Sequence, residues 1–242
     1  MIRIKPNRSL FILPLVLSLI LGIVSKTSLG QWSDYGVWSS VSCSQNLSDD
    51  LSYSASAATR VGYDFTRVES VFSNVSISRK LTPIAKGLKL DASIRLGMSK
   101  TSTYLWQPIR RLSASIKWKF DLSENMTFSS RVRYQTASKG LLATPASHHL
   151  RSAARFKTGL TYSVSKKLRL GLYTEFFSRP QNLGWYYSDH RMKLVVNVKT
   201  AKRRWASFGY QVEQQKNTPD PWTEHRIICG FDLEMKQRKA EK

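Results

Sequence analysis

Histidines are the natural place to look for chemistry in this chain, since a hydrolase or a metal site would need them. His148 and His149 follow Ser147, His190 closes Ser188-Asp189-His190, and His225 follows Glu224. Nucleophilic hydrolysis requires a serine, a histidine and an orienting polar group within hydrogen-bond reach. Only the neighbourhoods of Ser147 and Ser188 supply those parts, and neither carries a recognisable nucleophile motif. A lipid-modifying hydrolase therefore stands only as an alternative. A metal would have to recruit the His148–His149 pair with Asp189 or His190, yet adjacent residues of a strand point to opposite faces and no spacing matches a ligand set. Cys43 and Cys229 are too few for a disulfide framework or a four-ligand zinc site. The expectation is no catalytic residue, no metal and no cofactor.

The cations say more. Lys and Arg total 38 against 16 Asp and Glu, a net charge of +22. Such a balance points to nucleic acid, anionic lipid or an anionic solute. Arg3, Lys5 and Arg8 open the chain, Leu10 to Val24 is almost wholly apolar, and Ser28-Leu29-Gly30 precedes Gln31. A basic start, a 15-residue apolar run and small residues at −3 and −1 describe a secretory signal peptide over residues 1–30. Removing its four basic residues lowers the charge from +22 to +18. An exported chain rarely meets nucleic acid, so no nucleic-acid partner is expected.

The remaining sequence alternates with period two almost throughout. Leu88, Leu90, Ala92, Ile94, Leu96 and Met98 share one face, with Lys89, Asp91, Ser93 and Arg95 on the other. Leu112, Ala114, Ile116, Trp118, Phe120 and Leu122 oppose Arg111, Ser113, Ser115, Lys117, Lys119 and Asp121. Similar segments follow near 126–135, 150–164, 168–176, 191–199, 206–213 and 226–235, and three weaker ones precede them at 35–47, 50–61 and 67–80. Short polar turns are expected near 46–50, 83–87, 121–125, 165–167 and 200–203. Long connections are expected over 99–108, 136–149, 178–189 and 214–224, which hold prolines 108, 145, 180, 219 and 221.

Short turns at one end and long loops at the other are the pattern of outer-membrane barrels. A two-sheet sandwich or a soluble barrel would show the same alternation with its apolar faces turned inward. Strand length, a cationic polar face and aromatic residues near strand ends (Tyr104, Trp106, Tyr134, Trp185, Tyr186, Tyr187, Trp222) favour the membrane form. The fold expected is all-β, an antiparallel up-and-down transmembrane β-barrel of 10–12 strands. It occupies 31–236, after the signal peptide at 1–30 and before a basic tail at 237–242. Eleven segments are visible, but bacterial barrels have even strand numbers, so ten or twelve are expected. The first and last segments would run the same way and could not pair antiparallel. Cys43 and Cys229 would then lie towards opposite ends of the wall, each needing no role beyond facing lipid.

The polar face is the candidate site. Arg95, Arg111, Lys117, Arg131, Arg133, Arg151, Arg155, Lys157, Arg169 and Arg191 fall on it together with Glu175 and Glu213. Lys119, Lys193, Arg226, Asp91, Asp121, Asp232 and Glu234 share it. A narrow barrel could fill its lumen with Arg–carboxylate pairs, with Glu175 as a hub between neighbouring arginines. Cations exceed acids about two to one across these positions, so a hydrated, anion-favouring lumen is the other outcome.

Arg131-Val-Arg133-Tyr-Gln135, Leu150-Arg151, Arg155-Phe-Lys157, Tyr173-Thr-Glu175-Phe-Phe177 and Arg191 resemble, in order and spacing, one bacterial family of predicted outer-membrane β-barrels. This is the family catalogued as domain of unknown function twenty-four-ninety, and the resemblance spans roughly residues 32–236. It implies a membrane barrel in the outer membrane and carries no activity with it. The chain departs from the usual barrel ending: Phe231, Leu233 and Met235 alternate suitably, but a basic tail follows rather than a terminal aromatic residue. The partners expected are outer-membrane lipid, lipopolysaccharide and the barrel-assembly machinery, with small anionic solutes as candidates. The reading is thus a structural barrel or small channel with a cationic lumen. The alternatives are a lipid-modifying hydrolase and a soluble periplasmic β-sheet binding protein.

Overall fold

The computed structural model describes residues 32–82, 84–100, 105–139, 151–181, 184–217 and 221–235. The expected signal peptide at 1–30 and the tail at 237–242 lie outside the described residues. Eleven strands follow one another: β1 (Trp32–Asn46), β2 (Leu51–Gly62), β3 (Arg67–Lys80), β4 (Leu88–Lys100), β5 (Trp106–Ser123) and β6 (Met126–Lys139). Then come β7 (Arg151–Ser163), β8 (Leu168–Gln181), β9 (Gly184–Ala201), β10 (Arg204–Gln215) and β11 (Trp222–Glu234). Each strand pairs with the next, and β1 meets β11 to close one barrel. Among the described residues no helix is long and apolar enough to cross a membrane.

The period-two pattern sorts the faces. Leu112 is 60% exposed and Val75, Leu96, Ile116, Val132, Phe156 and Phe208 also stand on the outside, whereas Asp91, Ser115, Gln135, Arg155 and Glu175 are buried. The apolar faces therefore point away from the lumen, the reverse of a soluble barrel or sandwich. Exposed aromatic residues gather towards both rims: Tyr63, Phe65, Trp106 and Trp185 at one, Trp118 and Phe120 at the other. Tyr104, one of the aromatics expected at a rim, lies outside the described residues.

Eleven strands among the described residues fall within the 10–12 expected, and correct only the expectation of an even number. Every consecutive pair is antiparallel, so an odd count forces the closing pair to run parallel. The contacts rise together along both strands: Arg226 reaches Asp34, Ser42 bonds Asp232, and the Met235 amide donates to the Ser44 carbonyl at 2.7 Å. The terminal segments are thus both strands, and they pair by running the same way. The position expected for the cysteines changes with it. Gly230 faces Ser40 across the seam, so Cys229 and Cys43 share one stretch of wall rather than its opposite ends. They are separated by roughly 13 Å at 3.3 Å per residue, which is beyond disulfide reach. Both are free.

Connections are also shorter than their prolines suggested. Pro108 pairs with Met98 inside the β4–β5 ladder, and Pro180 pairs with Trp185 near the end of β8–β9, leaving only residues 182–183 between those strands. Backbone pairing continues past the apolar band, where side-chain alternation fades but the ladder does not. At the other rim 124–125 and 202–203 suffice as two-residue connections, and Arg203 takes a positive φ of 64° there.

Strands β1–β3 read weakly because their inward faces are largely serine. Ser40, Ser42 and Ser44 on β1 stand opposite Ala58, Ser56 and Ser54 on β2, and Ser54 bonds Ser76 of β3 at 2.8 Å. Small inward residues here leave room for the long side chains of the facing wall. A parallel seam predicts that Ser40→Cys with Gly230→Cys, in a background lacking Cys43 and Cys229, will cross-link on mild oxidation. Non-reducing electrophoresis of the folded barrel should show the shifted band, and its absence would reject the register.

Candidate functional site

Alternation and register together bring the lumenal charges into rows. Directly paired inward residues run Lys117–Arg131–Lys157–Glu175–Arg191–Glu213–Glu224 across β5 to β11. One step along, Ser115, Arg133, Arg155 and Phe177 form the next row. Glu175 is 4% exposed and accepts three guanidiniums. Arg155 binds it in a fork, Nε to Oε1 at 3.1 Å and Nη2 to Oε2 at 2.7 Å. Arg131 Nη2 donates to Oε1 at 2.8 Å and Arg191 Nη1 to Oε2 at 3.3 Å. Arg191 also holds Glu213 through Nε at 2.9 Å. Arg155 spends its remaining reach on Gln135 Oε1 at 3.2 Å. Charge-assisted forks of this kind fix both position and plane.

Aromatic rings share the task. Arg155 and Arg191 lie over the buried Phe177 ring at 4.4 and 4.8 Å. Lys157 lies over Tyr173 at 4.2 Å, and Arg169, an exposed residue near the short-turn rim, over Trp205 at 4.3 Å. A cation above a ring face is favoured by about 0.5–2 kcal/mol, which adds to the ion pairs of Arg155 and Arg191 and helps hold Lys157 and Arg169, for which no salt bridge forms among the described residues. Asp91 forms a second node, taking Lys117 at 2.9 Å, Ser115 at 3.0 Å and Ser78 at 2.8 Å, with Arg133 at 3.6 Å. The backbone of Arg151 pairs with Ala137, and its side chain lies outside what is described. Arg95 and Arg111 face each other across β4–β5 with no acid in salt-bridge range among the described residues.

A third node was not visible in the sequence as a unit. Arg226, only 2% exposed, holds Asp34 at 2.7 Å, Glu69 at 3.1 Å and Glu224 at 3.5 Å. It fastens β11 to β1 and β3 across the seam. Asp34 also accepts the amide of Asp64 at 3.1 Å, anchoring a turn in which Tyr63, Asp64 and Phe65 all have positive φ. Three such non-glycine residues in succession are strained. Arg60 was missed as well. It lies over Trp38 at 4.0 Å, and its only sequence signal is a cation interrupting an alanine- and serine-rich strand.

The Glu175 cluster and Arg60, Arg95, Arg111 and Arg133 border a cavity of about 430 Å³ inside the barrel, with Glu213 also in its lining. His190 and His225 lie outside its lining. Ser188 is the extra residue of a bulge between Phe177–Asp189 and Ser178–Tyr187; its hydroxyl bonds Asp189 at 2.6 Å. His190 bonds Thr174 at 2.8 Å and stacks on Phe176. His225 stacks on Tyr35 and bonds Tyr210 at 2.6 Å. Ser147, His148 and His149 lie outside the described residues. No group of three or more metal-ligating side chains forms among those described.

A family model described as protein of unknown function (DUF2490) matches residues 35–224. The chain belongs to this family. No curated protein matches it. The tracts that carry the resemblance converge in space: Arg131, Arg155, Glu175 and Arg191 are one ion-paired cluster, Gln135 and Phe177 brace it, and Tyr173 seats Lys157. In this DUF2490 barrel they are the parts of one hub contributed by four adjacent strands.

Removing the hub's acceptor should therefore be costly. Glu175→Gln leaves three guanidiniums facing a neutral amide, and breaking a buried ion pair costs about 3–5 kcal/mol. Urea titration of the folded barrel, followed by gel mobility, should show the midpoint falling far more for Glu175→Gln than for Asp121→Asn, whose exposed carboxylate accepts a hydrogen bond from Thr127.

Proposed function

We propose that this protein is an outer-membrane β-barrel that forms a small, anion-preferring channel with a cationic lumen. The observation that carries the reading is an apolar wall turned outward around an inward network in which cations outnumber the acids available to neutralise them. An outward apolar band with aromatic rims suits contact with lipid and lipopolysaccharide. A groove of about 660 Å³ on that outer wall, between Tyr53, Ile77, Leu112 and Tyr134 where Ala92 and Ala114 leave space, suits an acyl chain. Assembly by the barrel-insertion machinery follows from the same architecture. The Glu175 cluster narrows the passage, so conductance should be small.

Rings of arginine and lysine select anions in pores, and the inward excess supplies that bias. The lipid-hydrolase alternative has weaker support, because Ser188 is engaged by Asp189 and His190 by Thr174. The soluble-binder alternative would leave the exposed valine, leucine and phenylalanine wall in water.

Two measurements test the proposal. Refolded protein in a planar bilayer should conduct weakly with chloride preferred over potassium, and the preference should decline in Arg131→Gln/Arg133→Gln. Cation preference or no conductance would overturn the channel. Fractionation should recover the protein with outer membranes and release it only with detergent.

A further inference from the structure

Arg131, Arg155, Arg191 and Arg226 each have an acid to meet. Arg60, Arg95 and Arg111 do not: no acid stands within salt-bridge range of any of them among the described residues, and the Nε atom of each is buried without a hydrogen-bond partner. Arg95 and Arg111 are direct cross-strand partners, an arrangement that like charges disfavour. Arg133, which also lines the cavity, adds another buried and unpartnered Nε and reaches only Asp91, at 3.6 Å. Cations gathered in this way repel one another unless something negative is shared between them.

The cluster is nevertheless held in shape. Arg95 lies over the Phe72 ring at 3.9 Å; Arg60 lies over Trp38 at 4.0 Å and stands 5.4 Å from the same Phe72 ring. Stacking fixes the plane of a guanidinium while leaving its edge donors free, and those donors match the paired oxygens of carboxylate or phosphate. Ser93 and Ser113, hydrogen-bonded to each other at 2.7 Å, are the neighbouring inward pair of the same two strands. The cavity that Arg60, Arg95 and Arg111 border measures about 430 Å³, within the range of small-molecule sites.

We infer that Arg60, Arg95 and Arg111 form a binding site inside the lumen for a small soluble oxyanion carrying at least two negative charges, a phosphate ester or a polycarboxylate. The inference rests on the cationic-lumen reading and adds to it a defined site and ligand class. Chloride offers one charge and no paired oxygens, so it matches the forks of the Arg95–Arg111 pair less well and leaves one of the two charges uncompensated. Acyl chains would require the apolar surface, which lies on the outer side of the wall, so the occupant is a free solute rather than a lipid headgroup.

Calorimetric titration of the full chain folded in detergent, at low salt, with inorganic pyrophosphate and separately with citrate, tests the site. One saturable site per chain is expected for at least one of the two, and the stronger binder assigns the ligand as phosphate or carboxylate. Losing a charged hydrogen bond should weaken binding at least roughly tenfold in Arg95→Gln and in Arg111→Gln. Arg95→Lys, which keeps charge but loses the fork, should fall between, and Lys202→Gln at the rim should bind as the parent does. Heat-dependent gel mobility reports folding of each variant, and Arg95→Lys stands in where a glutamine variant does not fold. Folded parent protein without saturable binding of either anion, or binding indifferent to Arg95 and Arg111, overturns the site. Chloride preference in bilayers without oxyanion binding removes this site and leaves the channel; oxyanion binding by a non-conducting barrel does the opposite.

Discussion

Every strand edge carries unpaired amides and carbonyls, and in a single sheet they are satisfied by the sheet itself only when its two edges meet. Closure is the constraint on which the rest of this molecule depends. The chain meets it with eleven strands, each paired antiparallel to the next, and accepts one parallel pair at the seam. The odd count sends the start of β1 and the end of β11 to opposite rims. It also places the buried Arg226 where it can hold Asp34 of the first strand and Glu69 of the third. The join is thereby fastened by side chains as well as by the backbone.

Once the sheet is closed, its polar faces meet one another across the lumen. Arginines from β6, β7 and β9 meet on Glu175, and Lys117 and Arg133 meet on Asp91. Phenylalanine and tryptophan take part of the remaining cationic surface, as Phe177 does beneath Arg155 and Arg191. The serine-lined inner face of β1–β3 is the complement to this crowding: short side chains on one wall leave space for long ones on the other. Packing and electrostatics are thus one problem here. A narrow lumen with surplus cations is stable only where rings, hydroxyls and a few shared carboxylates are correctly placed.

Much of this was legible in the residues, and the exceptions have physical reasons. Leu112 through Leu122 alternates without fault because one face is outward and apolar, so β5 reads directly. Strands β1–β3 read faintly because serine and alanine contribute little contrast between faces. Pro108 and Pro180 suggested long loops, but the ladder extends past the apolar band, beyond the reach of a hydropathy signal. Glu175 was readable as a hub since its arginines sit on neighbouring strands at matching positions. The Arg226 node was not, because Asp34 lies 192 residues away in sequence and only seam register unites them. Arg60, alone among small residues, gave no hint of the rings beneath it.

The order of residues by itself determined the strands, their two faces and which charges share a face, because a period of two is a local property of extended backbone. The tertiary structure alone decided that the apolar faces turn outward, that eleven strands close through a parallel pair, and which cations find an acid. Those outcomes depend on register around a complete circuit and on the distance across the lumen. Neither exists until the last strand meets the first.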